Sequence, residues 1–316
     1  MDYNFSPVKD FDKLESAIVS LYGEQNRAEQ VARYRHLLDG FRDTYGEREG
    51  MAIFSAPGRT EIGGNHTDHQ HGKVLAGSVN LDVIAAVAPN DDNIIRVQSE
   101  GFRTIAVDLA DLSIHEDEID HSNSIVRGVA ARFAQLGCKV KGFDAYTTST
   151  VLKGSGLSSS AAFEVLLGNI INTMYFDGKC DAVQIAQIGQ YAENVYYGKP
   201  SGLLDQMASS VGAMVTVDFA DKAAPVVQRV DFDFAATGHA LCIIDSGADH
   251  ADLTPEYAAV PGELKEICTY FGKNVLREVD EKDFYAALPE LREKCGDRAV
   301  LRAIHVYNDN HRVERE

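Results

Sequence analysis

The chain has 316 residues, with 30 Lys and Arg against 48 Asp and Glu, and so carries a formal charge of −18. That surplus of negative charge repels polyanions and excludes a sequence-independent grip on nucleic acid or an anionic membrane surface. At 45% hydrophobic and 25% charged residues the composition is that of a folded globular protein, and because single cores stop growing at ~250–300 residues, two domains are expected.

In chain order, the apolar residues Leu14, Ile18, Leu21, Val31, Tyr34, Leu37, Leu38 and Phe41 recur at helical spacing between Asp12 and Tyr45, broken at Gly23 and ended at Gly46. Short β-type runs follow at Met51–Ser55, Val83–Ala88, Ile94–Ser99 and Thr104–Leu109, and they predict a small, mostly antiparallel sheet. A helix is expected over Ser124–Leu136, a strand over Asp144–Val151, and helices over Ser159–Tyr175 and Ala182–Tyr197. Strands at Met214–Asp218, Val226–Phe232 and Ala240–Asp245 then precede three helical stretches. Without regular βαβ alternation the pattern favours an α+β fold. Gly198, Pro200 and Gly202 suggest a domain boundary near residues 198–202, giving domains of about 1–200 and 201–316.

The five cysteines are far apart and form no C-x-x-C pair, which argues against a disulfide framework or a cysteine zinc site and fits a reducing cytoplasm. The first residues lack a basic segment followed by a long apolar run, and no stretch approaches the ~18 apolar residues of a membrane span. The expectation is a cytoplasmic protein, a monomer or weak oligomer, with no nucleic-acid or membrane partner.

Three stretches carry chemistry. In Leu152 to Ala162, Lys153-Gly154-Ser155-Gly156-Leu157-Ser158-Ser159-Ser160 lies between a strand and a helix. Closely spaced glycines admit a ligand to the backbone, and serines at a helix start leave N–H groups and hydroxyls facing one spot that suits phosphate. A Ser-capped helix after a flexible turn is the competing reading. The spelling matches neither a Walker loop nor a dinucleotide fingerprint, and no G-x-S-x-G is present in this loop. The second stretch, Ala56 to Gly72, gathers Arg59, Glu61, Asn65, His66, Asp68, His69 and His71 with four glycines. Such donors and acceptors suit a polyhydroxylated ligand, while zinc at His66, Asp68, His69 and His71 is the other possibility. The third, Tyr191 to Met207, holds Glu193 at a helix end and Asp205 inside an apolar stretch, where a lone carboxylate is costly unless paired; Arg59 is the candidate cation.

Taken together and in this order, the three stretches resemble the GHMP kinases, and the first and third in chain order resemble the galactokinases within them. The matching residues include Ala56-Pro57-Gly58-Arg59, His66-Thr67-Asp68, Gly72, the run Gly156 to Ala161, Gly202, Asp205-Gln206 and Glu256-Tyr257. The resemblance implies a two-domain α+β fold with the active site between the domains, and ATP-dependent phosphorylation of galactose at its C1 hydroxyl, giving α-galactose 1-phosphate and ADP. It also implies Asp205 as the catalytic carboxylate and Arg59 as the holder of the hydroxyl oxygen and phosphoryl group. Gly154, Ser155, Gly156, Leu157, Ser158, Ser159 and Ser160 would wrap the triphosphate of ATP. Ser160 and Glu193 would bind Mg²⁺, a hard cation that prefers oxygen donors, and Asn65, His66, Asp68 and Tyr257 would line the sugar pocket.

Departures from that pattern define the alternatives. The family usually has Asn, Leu, Ile, Glu and Tyr where this chain has Glu61, Ile62, Gly63, Asn65 and His69; at residue 65 a carboxylate contact to the sugar becomes an amide, which opens N-acetylgalactosamine or arabinose as the acceptor. A non-catalytic sugar and ATP sensor is the other alternative. After Asp205 the glycines stand singly, and the last residues carry no helix stop, so the C-terminal domain reads as incomplete, truncated before the family's third Gly-rich stretch, which puts the activity of the chain as it stands in doubt while leaving the kinase reading in place.

Overall fold

Residues 83–88 are apolar at every position because the strand that contains them is covered on both faces. A computed structural model describes residues 11–151, 155–232, 235–244 and 254–316. Its described residues cluster into two units. The first draws on Met1–Gly58, Val79–Lys153 and Leu157–Val211, and the second on Arg59–Ser78, Gly154–Gly156 and Gly212–Glu316.

The first unit begins with helices α1 (Phe11–Tyr22) and α2 (Arg27–Tyr45). Strands β1 (Ala52–Gly63) and β2 (Lys73–Pro89) have residues in both units, and β3 (Ile94–Ser99), β4 (Ile105–Asp108) and β5 (Phe143–Ser149) belong to the first. The sheet order is β4-β3-β5-β2; β2 and β5 run antiparallel from Val83↔Ser149 to Pro89↔Phe143, and β3 and β5 run parallel. Successive residues of a strand point to opposite faces. Val83, Ala85 and Val87 therefore join a cluster with α3 (Ser122–Gln135), α4 (Ser159–Tyr175) and α5 (Ala182–Tyr191), while Ile84, Ala86 and Ala88 pack with Ile18, Tyr34, Leu37 and Phe41 of α1 and α2. Helix α4 is apolar nearly all round and lies in that first cluster through Val165, Leu166, Ile170 and Ile171, as a buried central helix should.

In the second unit, the start of β2 pairs with β6 (Met214–Asp218), from Lys73↔Asp218 to Gly77↔Met214, and β6 pairs with β7 (Val226–Val230). Helices α7 (Thr254–Tyr270), α8 (Glu281–Ala286) and α9 (Leu288–Arg315) close a separate core around Ile267, Leu276, Phe284, Leu291, Ala303 and Val306. Gly296, at φ 85°, breaks α9 into two helical segments. No helix among the described residues is long and apolar enough to cross a membrane.

The α+β class expected from the sequence is the one observed. Several boundaries differ. β1 continues through Pro57 and Gly58 to Gly63, so much of the stretch read as a loop after a strand is strand; β1 pairs with β2 alone among the described strands, and an edge strand tolerates proline. The helix expected over 182–197 changes at Ala192–Tyr197 to a π-helical turn. The strand expected from residue 240 is absent over 240–244: no described strand pairs with it, and Leu241, Ile243 and Ile244 are exposed. Asp245 lies outside the described residues.

Candidate active site

In the first unit the site grows from the start of α4. Ser158 occupies the N-cap position, yet its side chain does not cap the helix. Its backbone takes a left-handed conformation at φ 56°, costly for a residue with a Cβ by about 1–2 kcal/mol, and Oγ donates to Asp205 Oδ2 at 2.6 Å. Asp205 stands in the first turn of α6 (Leu204–Val211). With the serine hydroxyl turned to the carboxylate, the first N–H groups of α4 have no side-chain acceptor from Ser158 and face outward beside Ser159 and the exposed Ser160, which suits an anion. The Leu157 side chain is buried in the core, so only its backbone is available to a ligand.

Behind Asp205, its chain neighbour Gln206 forms a buried bridge. The Gln206 Nε2 amide donates to Glu164 Oε2 and to Glu193 Oε2, both at 2.9 Å. Glu164, Glu193 and Gln206 are 1%, 4% and 1% exposed. Glu193, expected at a helix end, is buried there because the π-helical turn carries it inward. Lys199 Nζ donates to Glu193 Oε1 at 2.7 Å. Burial, followed by the repulsion of Glu193, pushes the Glu164 carboxyl well above the usual carboxylate range. Burial alone would lower the Lys199 ammonium, but the carboxylate of Glu193 raises it on balance. The helices approach closely here because residue 189 is glycine; a Cβ at that position would come within 3.1 Å of Glu164 Cβ and 3.3 Å of Gln206 Cγ. Glu164 was not singled out from the sequence, although a lone carboxylate in an apolar helix is the signal that could have found it.

In the second unit, Arg59 of β1 is 8% exposed and donates from Nη1 to Gly156 O at 2.5 Å, while Nη2 lies 3.4 Å from Glu61 Oε1. Glu61 Oε2 in turn accepts from Asn65 Nδ2 at 2.6 Å. The loop from Gly64 to Gly72 is tightly folded. Gly64, at φ 82°, leaves no room for a Cβ, which would fall 2.2 Å from Lys73 O. Thr67 Oγ1 donates to Lys73 O at 2.7 Å, and buried Gln70 accepts the Leu276 N–H at 3.0 Å. Asp68 is 4% exposed and accepts the His69 N–H at 2.9 Å. His66 is exposed at φ 56°, and His71 Nδ1 donates to Ala220 O at 3.2 Å. Among the described residues no group of three or more His, Cys, Asp or Glu is placed to hold a metal ion.

Helix α9 braces this loop from far along the chain. Asp309, fully buried, accepts the Asn65 N–H at 2.8 Å; His305 Nε2 donates to Asn65 O at 2.8 Å; and Asn310 Oδ1 accepts the Lys73 N–H at 2.8 Å.

The predicted residues thus fall into two groups. Leu157, Ser158, Ser159, Ser160, Glu193 and Asp205 belong to the first unit; Arg59, Asn65, His66, Asp68, Ser155 and Gly156 belong to the second. Gly154 lies outside the described residues, as does the side chain of Tyr257.

The galactose-binding signature of galactokinases matches residues 39–89, and the N-terminal domain of the GHMP kinases matches residues 123–213. A galactokinase of Streptomyces coelicolor is 35% identical over 280 residues, covering 87% of this chain and 70% of that protein. A galactokinase of Bacillus subtilis is 28% identical over 282 residues, covering 86% of this chain and 70% of that protein. Of the solved structures, Lactococcus lactis galactokinase complexed with galactose superposes with a TM-score of 0.71 at 26% identity, covering 89% of this chain and 72% of that one. Mevalonate kinase of Methanococcus jannaschii, at 11% identity and a TM-score of 0.51 over 84% of this chain and 81% of its own, shares the fold. Both signatures fall on the two groups of side chains described above, and the chain belongs to the galactokinase family of the GHMP kinases.

Proposed function

We propose that the protein phosphorylates galactose at its C1 hydroxyl with ATP, releasing α-galactose 1-phosphate and ADP. The observation that carries this reading on the chain's own residues is Asp205, held at 2.6 Å by Ser158 Oγ beside the uncapped start of α4. Phosphoryl transfer asks mainly for alignment and charge stabilisation. Asp205 accepts a hydrogen bond from the C1 hydroxyl, orienting its oxygen toward the γ-phosphorus as the new O–P bond forms and the bond to ADP breaks. The hydroxyl proton passes to Asp205 or to solvent. Donation from Ser158 fixes the rotamer of that carboxylate. Arg59, nearly buried and therefore less screened by water, holds the phosphoryl oxygens. The residues 154–160 and the first turn of α4 supply N–H groups to the triphosphate. Asn65, His66, Asp68 and Tyr257 bind the sugar hydroxyls.

Ser160 and Glu193 fit a magnesium ion in the chemistry of their donors, both hard oxygens. When bound, Mg²⁺ supplies neutralisation of phosphate charge. The charge of −18 favours small soluble partners over nucleic acid, and a cytoplasmic setting belongs to the same reading.

The test is ADP release over a panel of galactose, N-acetylgalactosamine and arabinose, with Asp205→Asn as control. Galactose is expected to be the preferred acceptor. The control is expected to lose about 10²–10⁴-fold in kcat, the range for a positioned acid or base, while nucleotide binding measured by calorimetry persists. Undiminished turnover in the control removes Asp205 from the mechanism, and binding without turnover in the parent protein favours the sensor.

A further inference from the structure

Asn65 is the residue at which this chain departs most consequentially from the family pattern, and its surroundings explain how an amide serves there. The pattern has Asn at position 61 and Glu at position 65, and this chain has Glu61 and Asn65. The carboxylate and the amide have exchanged places, and the two side chains are bonded to each other, with Asn65 Nδ2 2.6 Å from Glu61 Oε2. An ionised carboxylate only accepts hydrogen bonds, whereas an amide has one accepting and one donating end. Glu61 therefore selects the amide orientation: the NH₂ group of Asn65 must face it, and Oδ1 must face away.

The backbone of Asn65 is held just as firmly. Its N–H is bound by the buried Asp309 and its carbonyl by His305, each at 2.8 Å. The backbone N–H and C=O are engaged and Nδ2 is turned to Glu61, so Oδ1 is the accepting atom of the side chain on its other side, and the residue is exposed. Glu61 is itself held by Arg59, whose Nη2 lies 3.4 Å from Oε1, on a side chain pair that is 10% and 15% exposed.

We infer that Glu61 is a specificity-determining positioning residue: by capturing the Asn65 amide nitrogen Nδ2 it turns Oδ1 of Asn65 outward as an acceptor toward one sugar hydroxyl, restoring the accepting chemistry that a carboxylate at residue 65 would provide. The inference rests on the proposed galactose reading. It sets the substrate preference through hydrogen-bond polarity, because a site built to accept from a hydroxyl rejects an analogue that cannot donate.

The experiment uses the full chain with galactose and its monodeoxy and deoxyfluoro analogues at each ring position, read both as kcat/KM and as binding by calorimetry. Fluorine accepts weakly and cannot donate. The wild type is expected to disfavour the deoxy and the deoxyfluoro analogue alike, by roughly tenfold, at one position, as loss of one hydrogen bond predicts. Glu61→Gln, which offers Asn65 either amide polarity, is expected to shrink that discrimination to about two- to threefold. The reciprocal double variant Glu61→Asn with Asn65→Glu is expected to restore it. Equal acceptance of the deoxyfluoro analogues and galactose at every position overturns the inference, as does discrimination unchanged in Glu61→Gln. A uniform loss across all analogues with a lowered melting temperature also overturns it, marking a merely structural role. A wild type that binds galactose with the expected pattern but does not turn it over sinks the kinase reading alone, and one that binds no galactose overturns both.

Discussion

The two units hold their functional groups in opposite ways. In the first, the groups are side chains buried on helices: Glu164, Gln206 and Glu193 lie within reach of each other on α4, α6 and the π-helical turn, with Asp205 next in the chain. In the second, the functional loop is shaped through its backbone: Asn65 and Lys73 present their N–H groups to Asp309 and Asn310 of α9. A buried carboxylate is costly to desolvate and is kept only where a donor accompanies it. The difference teaches that buried charge is held in a helical frame through side-chain hydrogen bonds, whereas the loop from Gly64 to Gly72 takes its shape from a helix distant in the chain; on the proposed reading the first would serve the phosphates and the second the sugar hydroxyls.

The sharpest way to break this contrast is Gln206→Leu. One amide serves two buried carboxylates, and its removal leaves both short of a donor, so a loss of about 3 kcal/mol is expected in urea unfolding, with the first unit opening first. A loss below about 1 kcal/mol would mean that the bridge is incidental.

The corresponding cut in the second unit is Asp309→Ala, which strands the Asn65 N–H and one partner of Arg312. The expected loss is about 2 kcal/mol, and amide hydrogen exchange is expected to rise over residues 64–73 while the first unit keeps its protection. Exchange that rises equally in both units would erase the distinction drawn here.

The smallest effect tests the outer face of the same helix. His311 Nε2 lies 2.8 Å from Glu281 Oε2, and that hydrogen bond, then the negative charge, raises the imidazole above its ordinary value of 6.5. A raised folded value means that the folded state binds the proton more tightly, so the stabilisation is complete below pH 6.5 and fades as pH rises through the folded value. His311 is 51% exposed and screened by water, so the contribution is a few tenths of a kcal/mol. His311→Gln is expected to lower stability slightly near pH 5.5 and not at pH 9; an equal effect at both would assign the loss to packing.

Much of the fold was legible from periodicity. Residues 214–218 form the expected strand, and α4 and α3 lie where the apolar spacing puts them, because each of these segments has a face that must be buried. The run from Ala56 to Gly63 was not legible as strand, since proline, glycine and charge all speak against one locally, and only pairing with β2 holds it extended. The chemical residues were legible as motifs, Ser158 and Asp205 among them, but not the bond between them, since a serine before a helix is ordinarily a cap. Glu164 is marked in the sequence as a lone glutamate in an apolar helix, but nothing local names Gln206 and Glu193 as the groups that meet it. The brace from Asp309 to Asn65 spans 244 residues, and no spacing rule connects them.

By itself the sequence determined the class of fold, the order of the elements and the kinship to galactokinases, because these depend on residue type and local repetition. Only the tertiary structure decided which polar atoms meet: that Ser158 serves Asp205, that Gln206 joins two carboxylates, and that Glu61 turns the amide of Asn65. Hydrogen bonds are matters of distance and direction to within a few tenths of an ångström, and those are fixed by packing between segments remote in the chain.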